Sequence, residues 1–107
     1  MDKAQLAIEI EELRRRHSHL LVECPEAPSL WELTRHTLLW RVFLTDVVEP
    51  DLDVEILRQV IVVRGALQAG NEPGRQALVP LPAAYARNRP RFRFASGVLE
   101  IRIEAAR

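Results

Sequence analysis

Residues 29–48, SLWELTRHTLLWRVFLTDVV, contain both tryptophans and the densest apolar run of the chain. Ser29 and Glu32 have the S-x-x-E spacing of a helix capping box, in which both side chains bond to backbone N–H groups of the first turn. Apolar side chains recur at steps of three and four, which is typical of a buried helix face; they include Leu30, Leu33, Trp40, Leu44 and Val47. Proline at position 50 ends the pattern. The stretch is therefore predicted to be the central helix of a small core.

Residues 2–23 predict a first helix ahead of it. Asp2 can cap this helix, with Gln5 at the third position of a capping box. A four-three repeat of mostly apolar residues forms one seam along it; its members are Leu6, Ile10, Leu13, His17 and Leu20. The short link at residues 25–28, PEAP, favours an antiparallel helical hairpin. Because the first helix is apolar beyond the width that one neighbour covers, the same five residues are predicted to form an oligomer interface.

Residues 51–69 fit either a helix or a buried strand, and the two interpretations differ most clearly over residues 54–68. Four acids at positions 49, 51, 53 and 55 suit a helix N-terminus, and Gly70 suits its end. The β-branched run at 60–63, VIVV, favours instead a buried strand over 58–68 that pairs with 76–81. We expect the helix, with the strand as the alternative.

The C-terminal segment predicts an antiparallel β-hairpin. Residues 91–94 and 99–103 alternate polar and apolar side chains on either side of Ser96 and Gly97. A two-residue turn there places Phe94 opposite Leu99 and Arg93 opposite Glu100. The same register puts Arg91 opposite Arg102, a like-charge pair that is mildly destabilising unless an anion lies between them.

Length and composition indicate one domain, residues 1–107, of the α+β class: an N-terminal helical hairpin, a third helix or buried strand, and a C-terminal antiparallel β-hairpin. The 107 residues are 48% hydrophobic and 28% charged, which suits a folded domain. The single cysteine excludes an intramolecular disulfide, and no apolar run is long enough to span a bilayer. A cytoplasmic protein that does not enter a membrane is expected.

The zero net charge hides an uneven distribution. Residues 1–56 hold twelve acids and six bases, whereas residues 57–107 hold three acids and nine bases. Such asymmetry has two interpretations. The basic half is a surface that binds nucleic acid or an acidic protein, or it packs on the acidic half of the same chain or of a neighbouring copy. The candidate anion or nucleic-acid contacts are Arg87, Arg89, Arg91, Arg93 and Arg102.

No pattern of catalytic or metal-binding residues is present in the sequence. His17, His19, Cys24 and His36 lack the spacing of a zinc site, and no cofactor motif occurs. The chain is therefore predicted to be non-enzymatic, without metal or cofactor.

The favoured function is a protein-interaction module, a homodimer through its amphipathic helices that acts as an adaptor or regulatory subunit. Binding of nucleic acid by the arginine-rich hairpin is the alternative, since three helices and a β-hairpin resemble winged-helix DNA-binding domains in outline. A small-molecule binder, with Trp31 and Trp40 lining its pocket, is a weaker third hypothesis.

Overall fold

The computed structural model describes residues 2–45, 47–67 and 74–105. These residues form one α-helix, a short 3-10 helix and seven strands, namely α1 (Lys3–Arg16), the 3-10 helix (Ser18–Leu20), β1 (Ser29–Thr34), β2 (Thr37–Phe43), β3 (Val47–Ile56), β4 (Val60–Leu67), β5 (Arg75–Pro80), β6 (Arg91–Ala95) and β7 (Val98–Glu104). No helix among the described residues has the length and apolar character needed to cross a bilayer.

The strands form two antiparallel sheets that pack face to face as a β-sandwich. One sheet has the order β1-β2-β7-β6 and the other β3-β4-β5. Alternate side chains of both sheets point into a shared core; among its fully buried members are Leu38, Trp40 and Val42 of β2, Ile101 and Ile103 of β7, Ile61 and Val63 of β4, and Val79 of β5. Burial of each such side chain contributes about 1.5–3 kcal/mol to folding.

Helix α1 closes one side of this sandwich. Leu6 and Ile10 are buried in the core that the two sheets share. The helix contacts β5, and its Lys3 ammonium lies 5.9 Å from the centre of the Trp31 ring on β1. The edges of β1 and β5 therefore lie on the helix side, which leaves β6 and β3 on the opposite side.

The predicted helical hairpin is wrong. Residues 29–43 form β1 and β2, which turn through Arg35, a residue with a positive φ of 51°. Apolar residues occupy both faces of β2, where Leu38, Leu39 and Trp40 are buried in succession. That run hides the period of two and gives the sequence a helical spacing. The resemblance to a winged helix is wrong as well, because it depended on three helices ahead of the β-hairpin.

The first helix was predicted correctly at its start and too long at its end. Asp2 caps it, since the Gln5 backbone N–H donates to Asp2 Oδ1 at 2.8 Å. The helix ends at Arg16, and Leu20 and Leu21 continue onto the outer face of the second sheet. There they pack on Val60, Val62 and Leu78.

The third helix is also wrong, and the strand alternative describes this part of the chain. Val60–Leu67 is β4, which pairs with β5 through partners such as Val63 and Ala77. The four acids at positions 49, 51, 53 and 55 were predicted to lie at a helix N-terminus, and they lie on β3 instead. Residues 68–73, including the predicted helix end at Gly70, lie outside the described residues.

The C-terminal hairpin is confirmed in its turn and its register. Phe94 lies opposite Leu99, and Arg93 opposite Glu100. Ser96 and Gly97 both have positive φ, 52° and 76°, as a type I′ hairpin turn requires. A Cβ on Gly97 would lie 2.9 Å from the Thr45 Cα, so the turn also needs a residue without a side chain.

Candidate functional site

The residues with catalytic or metal-binding chemistry do not converge in the described part of the chain. No group of three or more His, Cys, Asp or Glu side chains there could hold a metal ion. His17 and His19 stack with ring centres 6.3 Å apart, and His17 Nδ1 lies 2.8 Å from the Leu13 carbonyl oxygen at the end of α1. Trp40 is buried in the core with Trp31 packed against it, so neither ring marks a separate pocket.

The seam predicted as an oligomer interface lies against the rest of its own chain. Leu6, Ile10 and Leu13 are buried within it, and Leu20 packs on the second sheet. An interface that used these side chains would therefore require α1 to exchange between copies. With that condition the interface remains a prediction.

The register of the hairpin brings four of the five predicted arginines to one region. Leu99, Ile101 and Ile103 are buried, so the alternate β7 residues point outward, together with their cross-strand partners on β6. We call Arg91, Arg93 and Arg102 on this outward side the arginine face. Arg89 joins Arg91 and Arg102 around a shallow groove of about 200 Å³.

Arg87 lies apart from the arginine face. It lines a groove of about 480 Å³ between α1 and the segment after β5. Glu9, Glu12, Arg16 and Arg58 line the same groove, so its charge is mixed. Arg16 there already pairs with Glu12, at 2.7 Å.

Arg91 and Arg102 lie directly opposite each other, and Glu104 lines the groove beside them. No ion pair within 4.0 Å involves either residue in the described parts of the chain. Glu100, the cross-strand partner of Arg93, lies 3.7 Å from Arg41 instead. The arginine face therefore has an excess of positive charge, since Arg89, Arg91, Arg93 and Arg102 share this outward side with two acids, Glu100 and Glu104.

The outer edge of β5 is occupied by the chain's own segment 22–27. Gln76, 1% exposed, donates from Nε2 to the carbonyl oxygens of Val22 (2.6 Å) and Cys24 (2.8 Å), and its Oε1 accepts from the Val22 N–H at 2.9 Å. Its backbone N–H donates to the Pro25 carbonyl, and its carbonyl accepts from the Ala27 N–H. These five hydrogen bonds close this edge at Gln76. Sequence reasoning missed this role because the partners are about fifty residues away.

The other outermost strands, β1, β3 and β6, have no further strand beside them in the described residues. Such edges present unpaired backbone N–H and C=O groups that another chain can pair with. Leu30 on β1 adds an apolar side chain that is 63% exposed. Open edges with apolar neighbours are suited to binding extended polypeptide.

The β3 edge has a charge pattern opposite to that of β6. Leu52 and Val54 pack against the core, while Asp53 and Glu55 are exposed on the outer side; we call these two acids the acidic edge. Glu55 has one distant cation, Arg64, at 4.0 Å. Sequence reasoning missed this pattern by placing the acids on a helix. The signal was available, because acids alternate with apolar residues from 52 to 56.

No protein-family model matches the chain, and no curated protein sequence matches it. Solved structures do resemble it. Heat shock protein 16.0 from Schizosaccharomyces pombe has a TM-score of 0.70 and 14% identity, covering 85% of this chain and 74% of the other. HSP18.5 from E. histolytica has a TM-score of 0.67 and 12% identity, covering 75% of this chain and 88% of the other. The hspA protein from Xanthomonas axonopodis has a TM-score of 0.62 and 15% identity, covering 75% of this chain and 93% of the other.

These likenesses show a shared fold, a sandwich of the kind found in small heat shock proteins. They support the correction from a helical hairpin to a β-sandwich. None of the three names is that of an enzyme or of a nucleic-acid-binding protein.

Proposed function

We propose that this chain is a non-enzymatic protein-interaction module of the heat shock type. It associates with copies of itself and binds extended or partly unfolded segments of other proteins, with a cytoplasmic location. The observation that carries the proposal is the set of open sheet edges on β1, β3 and β6. The fold shared with three heat shock proteins supports it.

The β1 edge is the proposed site for other proteins. Its side chains alternate between core and solvent: Trp31 and Leu33 pack inward, while Leu30 and Glu32 face out. An extended segment added beside β1 would pair its backbone with the open edge and cover Leu30. Partly unfolded proteins expose both the apolar side chains and the unpaired backbone that this edge accepts.

An aggregation assay tests this proposal. A thermally unstable model protein is heated with and without the chain while light scattering is recorded, and we expect the chain to delay and reduce the scattering. Leu30→Lys is expected to weaken the effect, because it places a solvated charge at the edge. The matched control is Ile8→Lys on α1, where the replaced side chain is 69% exposed and lies off the sheet edges.

Two results would contradict the proposal. Scattering that is the same with and without the wild-type chain would show that the chain does not bind partly unfolded protein. Equal loss of protection in Leu30→Lys and Ile8→Lys would show that β1 is not the site.

A further inference from the structure

We propose that two copies of this chain associate by pairing β6 of each copy with β3 of the other. The inference rests on the self-association proposed above and names its interface. Both strands are outermost in their sheets and have no third strand beside them in the described residues. The occupant of each edge is thus the complementary edge of a second copy.

The two strands match in polarity and in charge. On the inner side, Phe92 and Phe94 of β6 would meet Leu52 and Val54 of β3; Phe94, Leu52 and Val54 already pack against the core, and Phe92 is 39% exposed. On the outer side, the arginine face would meet the acidic edge. Aromatic–aliphatic and opposite-charge pairs across neighbouring strands both stabilise a sheet.

The pairing also supplies carboxylates to Arg91 and Arg102, neither of which makes an ion pair within 4.0 Å among the described residues, although Glu100 and Glu104 lie on the same face. Arg91 faces Arg102 within the chain, which is unfavourable for two like charges. A carboxylate of the partner's Asp53 or Glu55 beside Arg91 would offset that repulsion. Among the described residues, one ion pair within 4.0 Å involves either acid, Glu55 with Arg64 at 4.0 Å, and Arg64 is also the cross-strand partner of Asp53.

The sandwich places both edges on one side, so the contact can form twice. The Leu44 N–H, just before β3, donates to the Gly97 carbonyl in the β6–β7 turn at 2.7 Å. Helix α1 lies on the opposite side, by β1 and β5, and Gln76 closes β5. A two-fold axis between the copies then pairs β6 with β3 in both directions, as a closed dimer requires.

Charge reversal followed by mixing tests this interface. Arg91→Glu/Arg93→Glu puts acids on both edges, and Asp53→Arg/Glu55→Arg puts bases on both. We expect each variant alone to dissociate about tenfold or more readily than wild type in sedimentation velocity, because like charges then face each other. An equimolar mixture should recover the wild-type mass, since each acidic edge meets a basic one again.

The matched control is Arg15→Glu/Arg35→Glu, which changes the net charge as much as the first variant does. Both arginines are exposed, on α1 and in the β1–β2 turn, away from β3 and β6. Its mass should equal that of wild type. Circular dichroism of every variant should give the wild-type strand signal. A lower mass in sedimentation then reports dissociation of folded chains and not unfolding.

The outcomes separate this inference from the proposed function. Wild type that associates while both charge variants keep its mass would overturn the β3–β6 interface and leave self-association standing. Variants that dissociate but do not recover on mixing would also overturn it. Salt-sensitive binding of single-stranded or duplex DNA that needs Arg91 and Arg93, with mass unchanged, would assign the arginine face to nucleic acid instead.

Discussion

At the scale of single residues, Gln76 decides what the outer edge of β5 contacts. Its side chain satisfies three backbone groups of Val22 and Cys24, and its backbone pairs with two more residues. We expect Gln76→Leu to lower the free energy of unfolding by about 2–3 kcal/mol, because each lost hydrogen bond is worth about 1 kcal/mol. Chemical denaturation measures this, and hydrogen exchange should show faster exchange at the Ala27 N–H.

Gln5→Leu is the control for that substitution. Gln5 is exposed on α1, and its hydrogen bond to Asp2 uses the backbone N–H alone. Its free energy of unfolding should stay within about 0.5 kcal/mol of wild type. Equal stability of the Gln76→Leu and Gln5→Leu variants would show that segment 22–27 does not depend on Gln76.

Tyr85 gives a second prediction at this scale. Burial raises the pKa of its phenol above the ordinary value of 10.0, because the charged phenolate is poorly solvated there. The unfolded chain then loses this proton at a lower pH than the folded chain. The free energy of unfolding should therefore be fully retained below pH 10.0 and fall as the pH rises from there through the folded pKa.

Tyr85 is the single tyrosine, so an ultraviolet absorbance titration of the folded protein reports its midpoint directly. Denaturation at several alkaline pH values measures the fall in stability, and Tyr85→Phe should remove the part of it that the phenol causes. A folded-state midpoint at or below 10.0 would contradict the burial of Tyr85.

At the scale of elements, α1 belongs to the core of its own chain. Ile10→Asp should lower the free energy of unfolding by about 3 kcal/mol or more, because it places a carboxylate among apolar side chains. Ile8→Asp makes the same substitution at a side chain that is 69% exposed, and it should change stability by about 0.5 kcal/mol or less. Denaturant titration of both variants, with mass measured in parallel, provides the comparison.

The opposite pattern would restore the seam on α1 as an interface. If Ile10→Asp lowers the mass and leaves the free energy of unfolding unchanged, then Leu6, Ile10 and Leu13 pack between copies rather than within one.

Elements could be predicted from sequence where the turn has its own signal. Gly97 lies between two strands that alternate strictly, and this pattern predicted the C-terminal hairpin, including the pairing of Arg91 with Arg102. The positive φ of Gly97 agrees with that turn. The β1–β2 hairpin turns at Arg35 and His36, which carry no such signal, so its residues read as one helix. The length of α1 was overestimated because Leu20 continues the seam in sequence but packs on a sheet.

The candidate site was predictable in part for the same reason. The arginine face followed from the hairpin register alone. The acidic edge required β3 to be recognised as a strand, and the closure of β5 required contacts between Gln76 and Val22, 54 residues apart. Pairings at that distance depend on the whole fold, and neither spacing nor composition encodes them locally.

At the scale of the whole molecule, the two sides of the sandwich differ. On the β1–β5 side, segment 22–27 closes the edge of β5 and leaves that of β1 open, whereas the β3–β6 side presents a basic and an acidic edge. A chain of zero net charge with such separated charges is suited to associate with itself, since opposite edges attract while the whole molecules do not repel.

Sedimentation velocity of the wild-type chain, from micromolar to millimolar concentration and at low and high salt, tests this self-association most directly. We predict a species of twice the chain mass of 12.3 kDa, formed more weakly at high salt because the outer contacts are charged. A single species of 12.3 kDa at every concentration and salt would contradict it.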